Sequence, residues 1–125
     1  MSAGIPTPRF KRVNRKEDLK EINLSYPLFV KLCDEGSSKG VRLDSRVMDA
    51  RSLEEKTRGL LENYGPPVLV EEFVRGPEFT VGVLGNEFPS VLGVMLIEIK
   101  GNPGDEAIYS LEMKREWEEK VVYHC

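Results

Sequence analysis

Short runs of apolar residues, several of them alternating with polar residues, recur along the 125-residue chain and predict β-strands. Residues 28–32 are almost continuously apolar, which is typical of a strand that is buried in a sheet. Glu78 to Val83 alternate between polar and apolar positions, so Glu78 is predicted to lie on the polar face of its strand. The strands predicted in this way are residues 9–13, 28–32, 40–43, 68–73, 78–84, 88–99 and 120–125.

Two helices are predicted between these strands. Asn14 is suited to cap a short helix at residues 16–22. Ser52 and Glu55 have capping-box spacing at the start of a longer helix, which Gly65 ends. The pattern over residues 107–120 is mixed between strand and charged surface. The order of elements predicts one α+β domain of largely antiparallel sheets packed with two helices, and it disfavours a doubly wound parallel sheet.

Composition narrows the range of functions. Of the residues, 40% are hydrophobic and 31% charged, and the formal charge is -3, which argues against binding nucleic acid through a broad basic face. No apolar stretch approaches the roughly 20 residues that span a bilayer, and no signal peptide is recognisable, so we expect a cytoplasmic protein that binds no membrane. Cys33 and Cys125 are too few for a disulfide scaffold and lack metal-ligand spacing. The last predicted strand ends without a polar tail, so a fragment is expected.

A lysine and a polar loop are the first candidates for chemistry. Lys31 lies within the apolar run 28–32, on the face that carries Phe29. Its side chain could simply reach water, or its ammonium could bind a phosphate. Residues 35–40 follow, with two glycines and two serines that suit an anion-binding loop, although such loops are also common as plain turns. Their spacing is neither that of a P-loop nor that of a protein kinase.

Carboxylates at the bend between two later strands are the second candidate. Glu71 and Glu72 end one apolar run, and Glu78 begins the next after Gly76 and Pro77. A solvated sheet edge would use carboxylates in the same way. Strand alternation singles out Glu78 as the carboxylate that faces a polar surface.

Together, residues 26–31, the loop 35–40 and the run 68–85 resemble the ATP-grasp ligases, and most closely the D-alanine–D-alanine ligases. The resemblance implies a partial ATP-grasp domain over residues 1–125. Residues 1–72, approximately, would be the small nucleotide-binding lobe, and residues 73–125 the start of the larger lobe.

The resemblance also implies roles for particular residues. Lys31 and Lys114 would bind phosphates, and the loop would cover the γ-phosphate, with Ser37 as the catalytic residue. Backbone groups of Glu71 or Glu72 and of Val74 would bind the adenine edge, and Glu78 the ribose. The complete set of predicted ATP-binding residues is Lys31, Glu35, Gly36, Ser37, Ser38, Glu71, Glu72, Val74, Glu78 and Lys114.

In such a family the activity is an ATP-dependent ligation of a carboxylate to an amine through an acyl phosphate, in the synthesis of peptidoglycan precursors for the cell wall. The implied cofactors are ATP and Mg²⁺, with the magnesium ligands outside this chain, so the chain alone is expected to be inactive. ATP and small amino acids are the expected partners, and a homodimer is one expectation for the complete enzyme.

Other functions remain open. Arg115 stands where D-alanine ligases usually carry a tyrosine, which allows a ligase for another acid and amine. A nucleotide-binding module without catalysis and an α+β interaction domain also fit the residues. His124, the sole histidine, has no catalytic partner in the sequence and is interpreted as structural.

Overall fold

A computed structural model of the chain describes residues 4–36, 38–101 and 107–125. The chain divides into two compact units, the first ending at Val74 and the second beginning at Arg75. The assignment of these units to a small and a larger lobe of a ligase stays a prediction. No helix in the described ranges is long and apolar enough to cross a membrane.

The first unit is built on a four-stranded antiparallel sheet with the strand order β1-β4-β2-β3. Short 3₁₀ helices precede β2 and β3. The elements of this unit are β1 (Phe10–Val13), a 3₁₀ helix (Lys16–Glu21), β2 (Leu28–Leu32), a 3₁₀ helix (Leu43–Ser45), β3 (Arg46–Val47), α1 (Ala50–Tyr64) and β4 (Val68–Glu72).

One face of this sheet is buried by α1, because alternate strand residues point to the same side. The core residues share this face or the facing side of the helix, and they are Val13, Leu28, Val30, Leu32, Val47, Leu53, Leu60, Val68 and Val70. The intervening residues of β2 and β4 are therefore directed to the opposite, more open face, where Lys31 and Glu71 lie.

The second unit contains a three-stranded antiparallel sheet with the order β5-β6-β7. Its elements are β5 (Glu78–Leu84), β6 (Ser90–Ile99), α2 (Leu111–Arg115), α3 (Trp117–Lys120) and β7 (Val121–His124). Ile97, Ile99, Ile108 and Val121 are its buried apolar side chains. The other face of the β5–β6 hairpin is apolar but exposed, and its members are Phe79, Val81, Val83, Val91 and Val94.

The predicted α+β class with largely antiparallel sheets is confirmed, and most of the predicted strands are present. The strand predicted at residues 40–43 was placed too early. The partner of β2 is β3, and Leu28 pairs with Val47. The reason is a local turn, in which the Arg42 N–H donates to the Ser45 hydroxyl at 3.0 Å and shifts the strand toward the C-terminus.

Both predicted helix caps were wrong: the N-cap of the short helix is Arg15 rather than Asn14, and that of the longer helix is Asp49 rather than Ser52. The longer helix begins at Ala50, with Asp49 as the N-cap, because the Asp49 carboxylate accepts the Ser52 N–H at 2.8 Å. Near Asn14 the helix is of the 3₁₀ type, and the Asn14 N–H donates to the Asp18 carboxylate at 2.8 Å. The predicted end at Gly65 is correct, and Gly65 there has a φ of 81°, which favours glycine.

Candidate functional site

Lys31 is held by an ion pair on the open face of the first sheet. Its Nζ donates to Glu71 Oε1 at 2.6 Å. Lys31 lies on β2 and Glu71 on the adjacent strand β4, one diagonal position apart in the register. The Glu71 side chain is only 15% exposed and that of Lys31 35%, so solvent screens this pair less than it would a fully exposed pair.

Aromatic rings lie on the same face as this ion pair. The Phe29 and Phe73 ring centroids are 6.1 Å apart. The Arg46 guanidinium lies over the Phe73 ring, 5.4 Å from its centroid. This face therefore combines an ammonium group with partly exposed aromatic surface, an arrangement that can bind a ligand with both an anionic and a planar part.

The loop at residues 35–40 is curled by its own hydrogen bonds. Lys39 Nζ pairs with Glu35 Oε1 at 2.5 Å, and the Lys39 N–H donates to the Gly36 carbonyl at 3.1 Å. The Val41 N–H donates to the carbonyl of Ser38, which has a φ of 58°. Because these two amides are already bonded, an anion in this loop would need other N–H groups or hydroxyls. Ser37, the predicted catalytic residue, lies outside the described residues.

Glu71 and Glu72 have different surroundings, although they are adjacent in sequence. Strand alternation directs them to opposite faces of the sheet. The Glu72 carboxylate pairs with the Arg9 guanidinium, whose Nε lies 3.1 Å from both carboxylate oxygens, and this bond lowers the pKa of Glu72. Of these two carboxylates, only that of Glu71 therefore lies on the same face of the sheet as Lys31. Val74 lies just beyond β4, with an exposed side chain.

In the second unit, Glu78 is the first residue of β5 and is influenced by Lys114. Glu78 keeps contact with solvent, but neighbouring protein atoms displace part of the water around its carboxylate. This desolvation raises the pKa of Glu78, while the positive charge of Lys114 acts in the opposite direction. The two residues predicted to bind ribose and phosphate are thus electrostatically coupled.

Two tyrosines lie next to this pair. Lys114 Nζ is 5.0 Å from the centroid of the Tyr109 ring. The Tyr109 and Tyr123 hydroxyl oxygens are 2.6 Å apart, so the two side chains share a hydrogen bond. Neither tyrosine was predicted from the sequence as a site residue, and neither was Arg9. Tyr109 and Tyr123 are 14 positions apart, and Arg9 and Glu72 are 63 apart, so these contacts form only in the folded chain.

The metal-binding capacity of the described residues is limited. Over residues 4–36, 38–101 and 107–125, no group of three or more His, Cys, Asp and Glu side chains is arranged to hold a metal ion. His124 Nε2 lies 2.6 Å from a Glu98 carboxylate oxygen, at the end of β7. Arg115 ends α2 and is exposed.

The architecture is that of the ATP-grasp ligases. The chain is similar to the crystal structure of VanG D-Ala:D-Ser ligase from Enterococcus faecalis, with 34% identity, a TM-score of 0.68, and coverage of 79% of this chain and 29% of that one. It is also similar to the L-amino acid ligase from Bacillus licheniformis, with 28% identity, a TM-score of 0.55, and coverage of 82% and 25%.

Within this class, the sequence model of the family described as D-ala D-ala ligase C-terminus matches residues 1–125, and the chain belongs to that family. A D-alanine–D-alanine ligase from Pelotomaculum thermopropionicum is 39% identical over 114 residues, which cover 81% of this chain and 33% of the relative. The predicted family is therefore confirmed, and the chain spans about a third of the length of this relative.

Proposed function

We propose that this chain is the ATP-binding portion of an ATP-dependent carboxylate–amine ligase of the D-alanine–D-alanine type. Membership of the family supports the reaction class. The complete enzyme would act in the cytoplasm, in the synthesis of peptidoglycan precursors, and its substrates would be ATP and small amino acids.

The Lys31–Glu71 ion pair is the observation that carries the proposal. The ammonium lies on an open sheet face beside aromatic rings, with the loop 35–40 directly after its strand. An ammonium has three N–H donors, so Lys31 can keep its bond to Glu71 and still donate to phosphate oxygens. Glu71 would hold the side chain in place before the nucleotide arrives, which reduces the entropic cost of binding.

The first unit carries one part of the proposed set of ATP-binding residues. From the first unit, Lys31 would bind a phosphate, and backbone groups near Glu71, Glu72 and Val74 would bind the adenine edge. In the loop, Glu35 and Gly36 would shape the backbone around Ser38, while Ser37 would act on the γ-phosphate.

From the second unit, Glu78 would accept hydrogen bonds from the ribose hydroxyls and Lys114 would neutralise phosphate charge. Bound ATP would supply the phosphoryl group that turns a carboxylate into an acyl phosphate, which an amine then attacks with release of phosphate. The described residues offer no magnesium donor set, so we assign no magnesium ligand to them and derive no step through the metal.

The assignment is tested by nucleotide titration of the complete gene product, whether it ends at Cys125 or beyond. We expect Lys31→Ala and Glu78→Ala each to weaken ATP binding by about ten- to a hundredfold, because each removes hydrogen bonds that involve a charged group. Calorimetry would give the dissociation constants.

Matched controls are available in both units. Lys11→Ala breaks an ion pair of the same length, 2.6 Å to Glu21. In the sheet, Lys11 pairs with the core residue Val70, so it lies on the face opposite to Lys31. In the second unit, Glu98→Ala breaks the 2.6 Å pair with His124. Both controls should leave ATP affinity within about threefold of the parent. Unchanged affinity after Lys31→Ala and Glu78→Ala are combined would contradict the proposed site.

A ligase for another acid and amine is the second candidate. Two similar structures are named D-Ala:D-Ser ligase and L-amino acid ligase, and Arg115 departs from the pattern of the D-alanine enzymes. The test measures phosphate release by the complete gene product, first with D-alanine alone and then with D-alanine plus other amino or hydroxy acids. The combination that gives the faster release identifies the substrates. Binding of ATP without phosphate release on any pair would favour a module without catalysis.

A further inference from the structure

Lys114 belongs to a short helix whose start is tightly fixed. Ser110 is fully buried and caps α2, accepting the Met113 N–H at 3.4 Å. Tyr109 directly precedes this cap, so its backbone position is tied to the helix that carries Lys114. The ring of Tyr109 then lies beside the Lys114 ammonium, 5.0 Å from Nζ to the ring centroid.

The ring of Tyr109 is in turn anchored to the sheet. Its hydroxyl lies 2.6 Å from that of Tyr123, which is on β7 opposite Ile97. The Tyr123 ring packs against Trp117, with centroids 6.0 Å apart. A continuous chain of contacts therefore runs from the sheet through Tyr123 and Tyr109 to the ammonium.

We infer that Tyr109 and Tyr123 are positioning residues that fix the Lys114 ammonium for contact with a phosphate of the nucleotide. The inference rests on the proposed function, in which Lys114 binds a phosphate. An unrestrained lysine side chain has many rotamers, and ordering it on binding costs affinity. The Tyr109 ring provides a cation–π contact that selects one region for the ammonium before the ligand binds.

The ionisation of Tyr109 is consistent with this role. Burial, together with the bond to Tyr123 and the nearby Glu78 charge, raises the pKa of Tyr109 to about 12. The Tyr109 hydroxyl therefore stays protonated at neutral pH, and Lys114 contacts a neutral ring rather than a phenolate. A phenolate would attract the ammonium itself and compete with phosphate.

The test compares ATP with adenosine, which lacks phosphates, on the complete gene product. We expect Tyr109→Leu to weaken ATP binding by about two- to thirtyfold, the range of a cation–π contact, and to leave adenosine affinity unchanged. Tyr109→Phe keeps the ring and should recover most of the ATP affinity. Phe88→Leu is the control, since Phe88 is 87% exposed in the same unit, and it should change neither affinity.

A double-mutant cycle with Lys114→Ala separates positioning from a purely structural role. If the tyrosine acts through the lysine, Tyr109→Leu has no further effect on ATP binding once Lys114 is removed. Additive losses in the cycle, or an equal loss of adenosine affinity, would overturn the inference while leaving the proposed function intact. An unchanged ATP affinity in Lys114→Ala alone would instead remove the assignment on which the inference rests.

Tyr123→Phe provides an independent test if the Tyr109→Leu variant fails to fold, because it removes only a hydroxyl group. We expect it to weaken ATP binding by a few-fold, as the loss of one neutral hydrogen bond implies. Combined with Tyr109→Phe it should give the same loss as either change alone, because both remove the same bond. A double variant that is weaker by the product of the two losses would count against the shared bond.

Discussion

At the scale of single residues, the surroundings of a carboxylate decide its behaviour more than its place in the sequence. Glu72 is paired with Arg9, and that bond lowers its pKa. Glu78 lies where protein atoms displace water, and its pKa is raised. The ionised form of Glu72 is therefore stabilised by folding, whereas the ionised form of Glu78 is disfavoured.

The two carboxylates predict opposite pH effects on stability. A carboxylate whose pKa is lowered by folding stabilises the folded chain at pH values above its ordinary pKa, and this stabilisation is lost as the pH falls through the pKa of the folded state. Glu72→Gln should therefore destabilise the chain at pH 7 but not near pH 3. A raised pKa has the reverse sign, and Glu78→Gln should stabilise the chain at pH 7, with the gain vanishing near pH 3.

The measurement is denaturant unfolding of both variants and the parent at the two pH values. Trp117 is the single tryptophan of the chain and reports on the second unit, which contains Glu78. Far-UV circular dichroism, dominated by the 15-residue α1, follows the first unit and Glu72. A Glu78→Gln variant that is less stable than the parent at pH 7 would contradict the desolvation of this carboxylate.

Part of this residue-level picture could be predicted from the sequence. Alternation along residues 28–32 correctly directs Lys31 away from the core, since every second neighbour is apolar. The partner of Glu72 could not be predicted in the same way, because Arg9 is 63 positions away and the pair forms only when β1 lies against β4. The ring under Lys114 likewise depends on the fold of residues 107–125.

At the scale of elements, the β5–β6 hairpin depends on one glycine at its turn. Gly85 has a φ of 114°, a region that residues with a Cβ rarely adopt. A Cβ at this position would lie 2.8 Å from the Phe88 carbonyl oxygen, closer than real contacts allow. The turn therefore requires glycine for both its backbone angle and its space.

Gly85→Ala should destabilise the second unit by about 1 to 3 kcal/mol, because the backbone must strain or the turn must shift. Gly93→Ala is the matched control in β6, where a Cβ would meet nothing within 4 Å, and it should change stability by less than about 0.5 kcal/mol. Trp117 fluorescence during urea unfolding measures both. Equal midpoints for the two variants would show that the turn tolerates a side chain.

Strands and helices could be predicted where the local sequence pattern was strong. They were predicted less well where pairing with a distant strand determines which residues form the element. The apolar runs of β2 and β4 specify strands by themselves. The two-residue strand β3 is selected by its pairing with β2 after a side-chain-stabilised turn, so its position depends on contacts outside its own sequence. The cap at Asp49 was missed because Ser52 offers the same chemistry three residues later.

At the scale of the whole molecule, stability is distributed over two units with separate cores. The larger cluster lies in the first unit and centres on Leu28, Val30, Val68 and Val70, all fully buried. A single free energy of unfolding for the chain would average over both units, so each needs its own probe.

Leu28→Ala should lower the stability of the first unit by about 2 to 5 kcal/mol, since it opens a cavity among β2, β4 and α1. Leu43→Ala makes the same chemical change at a side chain that is 61% exposed, and it should cost less than about 0.5 kcal/mol. Far-UV circular dichroism during urea unfolding reports both. Similar losses of stability for the two substitutions would argue against a central position of Leu28 in the core of the first unit.

The position of β4 has a consequence for how the chain is made. β4 is the last strand of the first sheet to be synthesised, yet it lies between β1 and β2. Among the strands that the structure describes, β1 has no other neighbour in the sheet. We expect nascent chains that have not yet reached residue 72 to expose unpaired strand edges, where chaperones can bind. The five residues of β4, Val68–Glu72, join β1 to the rest of the sheet, so folding of this unit on the ribosome is expected as one late step.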